Sequence, residues 1–418
     1  MITLTKVVLE KKDIKDYEKF LSPEKSAGLK SLAKKLAGKK VVHINATAQG
    51  GGVAEILQSL VPFQRGLGID ADWFSISAPG RFFEITKKIH NGLQGKKSRW
   101  SADELNFYFF VNKKLAGVLR RLKFDLAVIH DPQPMALIEF CHPAPMISRI
   151  HIDLSTPDLR LLSFFLPYLG QYEKIIFSLK EFIPREIPED KTAIIRPAID
   201  PLISKNKVLP RAKARKILME LGVNPQKPII AQISRFDPWK DPMGVIDAYY
   251  AAKNLIPDLQ LILLGLNIAK DDPECVRVFQ RVKKHAKGDP DIYLFYDPSK
   301  IPFSNSTMVN AVQSGSDIIL QKSIREGFGL TVTEAMWRGK PVIGGDAAGI
   351  KCQIDDQKNG FIVKAGGEAA EIIIDLLKHP EKARKIGLRA RRTVKNKFLI
   401  TRLAKDHLEL YREVLGLK

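Results

Sequence analysis

Short apolar runs rich in β-branched residues alternate along the chain with longer stretches whose apolar positions repeat at helical spacing. In the first half the runs are Val41–Asn45, Gly68–Ile76, Asp125–His130, Met146–Ile150, Ile175–Ser178 and Thr192–Ile195. In the second half they are Pro228–Ile233, Leu259–Gly265, Ile292–Phe295, Ile318–Leu320, Pro341–Ile343 and Phe361–Val363. Runs apolar on both faces are the mark of parallel strands covered by helices on each side. Helical periodicity follows them at about Val53 to Arg65, 80–115, Lys213–Gly222, Leu330 to Arg338 and Glu368 to Lys418. Residues 10–40 also carry helical faces, Ile14, Tyr17 and Leu21 on one and Leu29, Leu32, Ala33 and Leu36 on another, interrupted at Ser22-Pro23. A helix packed on its own domain is expected there. The pattern predicts an α/β protein built of doubly wound parallel sheets with sites at the carboxyl ends of the strands.

At 418 residues the chain is too long for one ordinary core, so two domains are expected. A proline-bounded segment, Ile195–Asp200, followed by the charged run Lys205–Lys216, marks the boundary. Residues 1–200 form the first domain and 201–400 the second. Apolar residues at 45% and charged residues at 27% are those of a globular protein, and no apolar run approaches the ~18 residues that span a bilayer. The net charge of +21 is spread through the sequence and reads as a solvated lysine-rich surface that also attracts nucleotide phosphates. Cys141, Cys275 and Cys352 are too few and too scattered for a disulfide framework, and no signal peptide precedes Glu10-Lys11-Lys12-Asp13. A cytoplasmic protein, with no stable membrane insertion, is the expectation.

The candidate chemistry sits at strand ends. After Ile318–Leu320 come Glu326, Gly327, Phe328 and Gly329, then a helix from Leu330 that carries Glu334. Glycines permit close backbone approach, and the helix start directs unpaired N–H groups of Leu330 and Thr331 at an anion such as a diphosphate. Arg235 and Lys240 follow Pro228–Ile233 and supply two cations for the same charge. In the first half Gln49, Gly50, Gly51 and Gly52 follow Val41–Asn45; the run is neither G-x-G-x-x-G nor a Walker A and is weak by itself. His130-Asp131 and Arg149-Ile150-His151-Ile152-Asp153 end two more strands. Asp70-Ala71-Asp72 and Asp289-Pro290-Asp291 look like metal-holding D-x-D pairs, but both read as solvated strand starts.

The Glu326-to-Glu334 spacing, with Gly-Phe-Gly-Leu after the first Glu and Glu-Ala-Met at the second, resembles the E-x7-E signature of retaining GT-B glycosyltransferases of the glycogen-synthase-like class. Ser234-Arg235…Lys240 resembles that class's diphosphate clamp, and the run from Arg149 to Pro157 resembles the trehalose glycosyltransferring branch. The resemblance implies two Rossmann-like domains facing across a cleft, with the last helix, about 401–418, crossing back to the first. It implies that glucose passes from ADP- or UDP-glucose to free glucose with retention, giving trehalose and the nucleoside diphosphate. Arg235, Lys240, Glu326 and His151 would be catalytic. Gly327 to Thr331 and Glu334 would bind the donor, Glu334 through the ribose hydroxyls. Gln49, Gly50, Gly51, Gly52, Asp131 and Asp153 would bind the acceptor. The family needs no bound cofactor and no protein-held metal; a stimulatory divalent cation such as Mg2+ and a homodimer are compatible with it. Tyr296 replaces a glycine common after Ile292–Phe295, which leaves base recognition open. Rival expectations are another acceptor within the same class (sucrose-like, glucan or glycolipid) and, more distantly, a basic membrane- or nucleic-acid-binding protein.

Overall fold

A computed structural model describes residues 1–97, 99–266, 273–364 and 366–418. The chain forms two compact units, Met1–Ala198 together with Ile400–Lys418, and Ile199–Leu399. Each is a twisted sheet layered with helices, and together they give a mixed α/β fold of two Rossmann-like domains.

In the first unit the strands are β1 (Thr3–Lys6), β2 (Lys40–Asn45), β3 (Asp70–Ser77), β4 (Leu126–His130), β5 (Met146–Arg149), β6 (Lys174–Phe177) and β7 (Thr192–Ile194). The helices are α1 (Pro23–Lys35), α2 (Gly52–Gly66), α3 (Gly80–Leu93), α4 (Ala102–Leu119) and α5 (Leu159–Leu169). The sheet order β1-β3-β2-β4-β5-β6-β7 is parallel except for β1, an antiparallel edge. Sequence pattern passes over β1 because Leu4 is its single buried residue. The helical stretch 80–115 is made of two helices, α3 and α4. Ser101 opens α4 with a capping box, accepting from the Glu104 N–H while the Glu104 carboxylate takes the Ser101 N–H.

The second unit contains β8 (Ile229–Ile233), β9 (Gln260–Leu264), β10 (Ile292–Phe295), β11 (Ile318–Gln321), β12 (Val342–Gly345) and β13 (Phe361–Val363) in the order β10-β9-β8-β11-β12-β13, all parallel. Its helices are α6 (Arg211–Met219), α7 (Pro242–Lys253), α8 (Pro273–His285), α9 (Asn305–Gly315), α10 (Leu330–Trp337), α11 (Ala348–Lys351), α12 (Gly366–Lys378) and α13 (Pro380–Lys397). The last helix, α14 (Ile400–Val414), returns to the first unit and packs on α1 and α2. In each sheet the strand order reverses once, between β2 and β4 and between β8 and β11. Loops leaving those strands diverge and open a crevice at their carboxyl ends.

The D-x-D pairs differ in part from the expectation of solvated strand starts: Asp70 is exposed at the first position of β3, but Asp72 and the second pair are held in ion pairs. Asp72 is buried and held by Lys6 (2.8 Å), Arg65 (3.0 Å) and Lys40 (3.3 Å). Lys6 lies on the strand that the sequence pattern had not revealed. Asp289 and Asp291 together take the Lys253 ammonium at 3.1 and 2.8 Å. Each pair joins separated segments electrostatically and faces no ligand position that the sequence suggests.

Close backbone packing in the second unit rests on Gly387 in α13, where a Cβ would lie 1.9 Å from the Gly339 carbonyl oxygen. Gly387→Ala should destabilise this unit by about 1–3 kcal/mol, because overpacking against rigid backbone outweighs the roughly 0.5–1 kcal/mol that alanine adds to a helix. Urea unfolding of the variant against the wild type checks the sign.

Candidate active site

The second unit brings one cluster together at its strand reversal. Gln232, buried in β8, ties the two strand tips: its side-chain amide donates to the Lys240 carbonyl (3.0 Å), and its carbonyl accepts the Lys322 N–H (3.3 Å). Above it the Lys240 ammonium meets Glu326 Oε2 at 2.5 Å, and Ser323 Oγ donates to the same oxygen at 3.2 Å. Asp241, at φ 47°, caps α7 by accepting the Gly244 N–H and pairs with Lys322. Arg235 is more exposed and reaches Asp237 at 3.6 Å. Lys322 is a further cation at this site; it follows an apolar strand but belongs to no recognised spacing, so the sequence carries no sign of it.

Gly329, at φ 84°, is the N-cap of α10 and provides no side-chain cap, so the first N–H groups of the helix, those of Leu330 and Thr331, stay available to an anion. The Gly327–Gly329 loop is fixed from below. Buried Gln353 donates from its amide nitrogen to the carbonyls of Phe328, Gly329 and Gly349, and accepts from Thr333 Oγ1. Gly349 donates its N–H to the Glu326 carbonyl at 3.2 Å, and a Cβ there would lie 2.4 Å from that oxygen. Neither Gln353 nor the closeness at Gly349 leaves a sequence signal, since both depend on α11 folding under the loop.

Two donor-binding candidates are oriented otherwise than the sequence suggests. The Phe328 ring turns into the core against Phe398 (5.5 Å between centroids), so only its backbone borders the crevice. Glu334 is fully buried in the second turn of α10, with its carboxylate 2.5 Å from the Lys205 ammonium and accepting from Gln313 at 3.4 Å.

The first unit gathers the other candidates at the ends of β2, β4 and β5. Gln49, Gly50, Gly51 and Gly52 form an exposed loop, with Gly50 at φ 75° and Gly51 at φ 87° leading into α2. Asp131, at φ 63°, turns its Oδ1 back to accept the His151 N–H at 2.8 Å. Burial pushes its carboxyl up to about 7. Asp153 is buried and accepts the Ser155 N–H at 2.8 Å. The His151 ring is only part-buried, and its Nε2 lies 2.9 Å from His130 Nδ1. His130 continues inward to His43, which the sequence had offered only as a strand residue. Burial holds His43 at about 4 and His407 at about 3, and lowers His130 and His151 well below the ordinary imidazole value. Among the described residues no three His, Cys, Asp or Glu side chains converge to hold a metal, and no helix is long and apolar enough to cross a membrane.

Residues 43–184 match the family "Trehalose synthase, N-terminal domain", and residues 214–393 match "Glycosyl transferases group 1". The chain is 43% identical to the trehalose synthase of Pyrococcus horikoshii over 97% of this chain and 96% of that protein. It is 39% identical to the trehalose synthase of Rubrobacter xylanophilus over 97% and 98%. Among solved structures, the trehalose 6-phosphate synthase of Burkholderia multivorans superposes with a TM-score of 0.73, covering 91% of this chain and 97% of that one at 14% identity. The fold is therefore that of the GT-B glycosyltransferases.

Two expectations follow from this geometry. Gly349→Ala pushes on the Glu326 backbone and should destabilise the second unit by about 1–3 kcal/mol, which urea unfolding against the wild type checks. The second concerns acid. These four imidazoles, three of them buried and His151 part-buried, regain pKa values near 6.5 on unfolding, so the unfolded chain binds more protons below that pH. Stability should fall as pH drops from about 6.5 through about 4, and Asp131 opposes this with one carboxyl against four imidazoles. Thermal unfolding at pH 7.5 and pH 5 should show a lower midpoint at pH 5, with a shallower slope in His43→Gln.

Proposed function

The chain belongs to the trehalose synthase family of group 1 glycosyltransferases, and on that premise we propose that it transfers glucose from a nucleoside diphosphate glucose to the anomeric hydroxyl of free glucose, giving trehalose with retention. The observation that carries this reading is the Lys240–Glu326 pair beside the uncapped start of α10. A cation, a carboxylate and backbone N–H donors side by side suit a sugar diphosphate, which carries charge next to hydroxyls, and this supports the reading.

Arg235 and Lys240, with the Leu330 and Thr331 N–H groups, take the diphosphate and stabilise the negative charge that grows as the bond to the sugar breaks. Glu326 holds Lys240 in place, and its second oxygen accepts from hydroxyls of the transferred hexose. The Gly327 and Gly329 backbone and the Phe328 main chain complete that contact. Glu334 serves the ribose, which requires Lys205 to share or release its carboxylate. In the first unit His151 steadies the transferred sugar. Asp131, through the His151 backbone, sets the height of that ring, and Gln49, Gly50, Gly51, Gly52 and Asp153 shape the acceptor side. The anomeric carbon–phosphate oxygen bond breaks and the bond to the acceptor oxygen forms on the same face. The acceptor's proton passes to the departing phosphate oxygen, so no protein nucleophile is required. Exclusion of water during this step prevents hydrolysis of the donor.

Purified protein with ADP- or UDP-glucose should yield trehalose only when glucose is also present. Glu326→Ala should cut the rate at least about a hundredfold, the scale of losing one transition-state contact. Donor hydrolysis without a glucose-dependent disaccharide would retain the donor assignment and refute the acceptor. A disaccharide or glycolipid formed with another acceptor would move the protein within its class.

A further inference from the structure

Three imidazoles stand in file inside the first unit. His43 Nδ1 lies 3.0 Å from His130 Nε2, and His130 Nδ1 lies 2.9 Å from His151 Nε2. The rings are near coplanar, tilted by 32° at the first contact and 19° at the second. Adjacent parallel strands produce the file: His43 is on β2, His130 ends β4, and His151 lies just past β5. At the inner end His43 Nε2 faces Gln64 Oε1 at 3.2 Å and, farther off, the Tyr411 hydroxyl at 3.4 Å, and Gln64 Nε2 donates to that hydroxyl at 3.3 Å. Gln64, on α2, and His43 are fully buried, and His130 nearly so. None of this polar line is used by the chemistry described above except its last member.

A neutral imidazole has one N–H and one lone pair, so a row of them has a direction. The Gln64 amide nitrogen is committed to Tyr411, and its carbonyl oxygen can only accept. The nearer neighbour of His43 Nε2 is this acceptor and the more distant one a hydroxyl that can also accept, so the proton of His43 pairs best on Nε2, which leaves Nδ1 as a lone pair. His130 must answer with Nε2–H and has its own lone pair at Nδ1. His151 must then donate from Nε2. An extra proton on His43 or His130 would oppose two N–H groups and bury a charge near the Arg149 guanidinium, with His407 also close. The nearby carboxylate, Asp131, is engaged through its Oδ1 with the His151 backbone N–H.

We propose that Gln64, His43 and His130 act as positioning residues that lock His151 in the Nε2–H tautomer, so that its Nδ1 is a standing acceptor for a hydroxyl of the sugar substrate. Among the described residues no group hydrogen-bonds to that Nδ1. The identity of the ligand rests on the proposed glucosyl transfer; the tautomer is a property of the protein alone. A fixed lone pair selects an O–H donor and rejects an analogue lacking it, because the nitrogen would be left unpaired in a desolvated place.

The test is nitrogen NMR on the full chain labelled with 15N-histidine, which has eight histidines, with His151 assigned by its disappearance in His151→Gln. The wild type should show His151 protonated at Nε2 and bare at Nδ1; a proton on Nδ1 overturns the proposal. Gln64→Met removes the inner acceptor at similar volume, and the His151 signals should move toward a mixture of tautomers; unchanged signals overturn the proposal. In the same variant kcat/KM for trehalose formation should fall about tenfold, and full activity with a changed tautomer overturns the substrate role. The wild-type spectrum decides the tautomer even if Gln64→Met does not fold. It also separates the two claims: an Nε2–H tautomer in a protein that turns over no nucleotide sugar supports the locked ring and refutes the transfer reading.

Discussion

A lysine and a glutamate from different loops meet at 2.5 Å over the point where the second sheet reverses its strand order, and the rest of that half is arranged to keep them there. Both are part-buried, so neither is fully solvated and each depends on the other. Separating them would leave a partly desolvated charge without its partner, which costs far more than an exposed pair would. Gln232 anchors both strand tips beneath the pair, so small shifts of either loop are transmitted to the charges.

The glycine loop beside them is rigid for a different reason. Its flexibility is local to Gly329, where the backbone is left-handed and the helix begins. Everything else about it is pinned. Phe328 is buried as an anchor, Gln353 binds the carbonyls of Phe328 and Gly329 together with that of Gly349, and Gly349 presses so close that a methyl group would not fit. A loop that must offer bare N–H groups to an anion gains from such support, because little ordering is left to be done when the anion arrives.

The first unit solves the matching problem with buried polar groups instead of ion pairs. Beside the exposed Gln49–Gly52 loop, its other candidates do not point outward as isolated side chains. Asp131 and Asp153 accept backbone N–H groups close by, and His151 is the outer end of a hydrogen-bonded row that reaches Tyr411 near the end of the chain. The return of α14 to this unit is thus part of the site's support, since it supplies the hydroxyl that orients Gln64.

The sequence alone determined the α/β class, most of the parallel strands and the strand-end positions of Arg235, Lys240, Glu326 and His151. Apolar runs and glycine-bounded loops are local, so periodicity reveals them without knowledge of neighbours. Loop motifs such as Glu326-Gly327-Phe328-Gly329 also survive as spacing, because a strand, a turn and a helix follow one another along the chain. Only the tertiary structure decided what those side chains touch. It turned Phe328 inward, gave Glu334 to Lys205, paired Asp72 with a lysine on an unpredicted edge strand, and lined up His43, His130 and His151. Each of these depends on segments far apart in the chain reaching one place. Hydrogen bonds and ion pairs act over a few ångströms, a distance that spacing along the sequence does not encode.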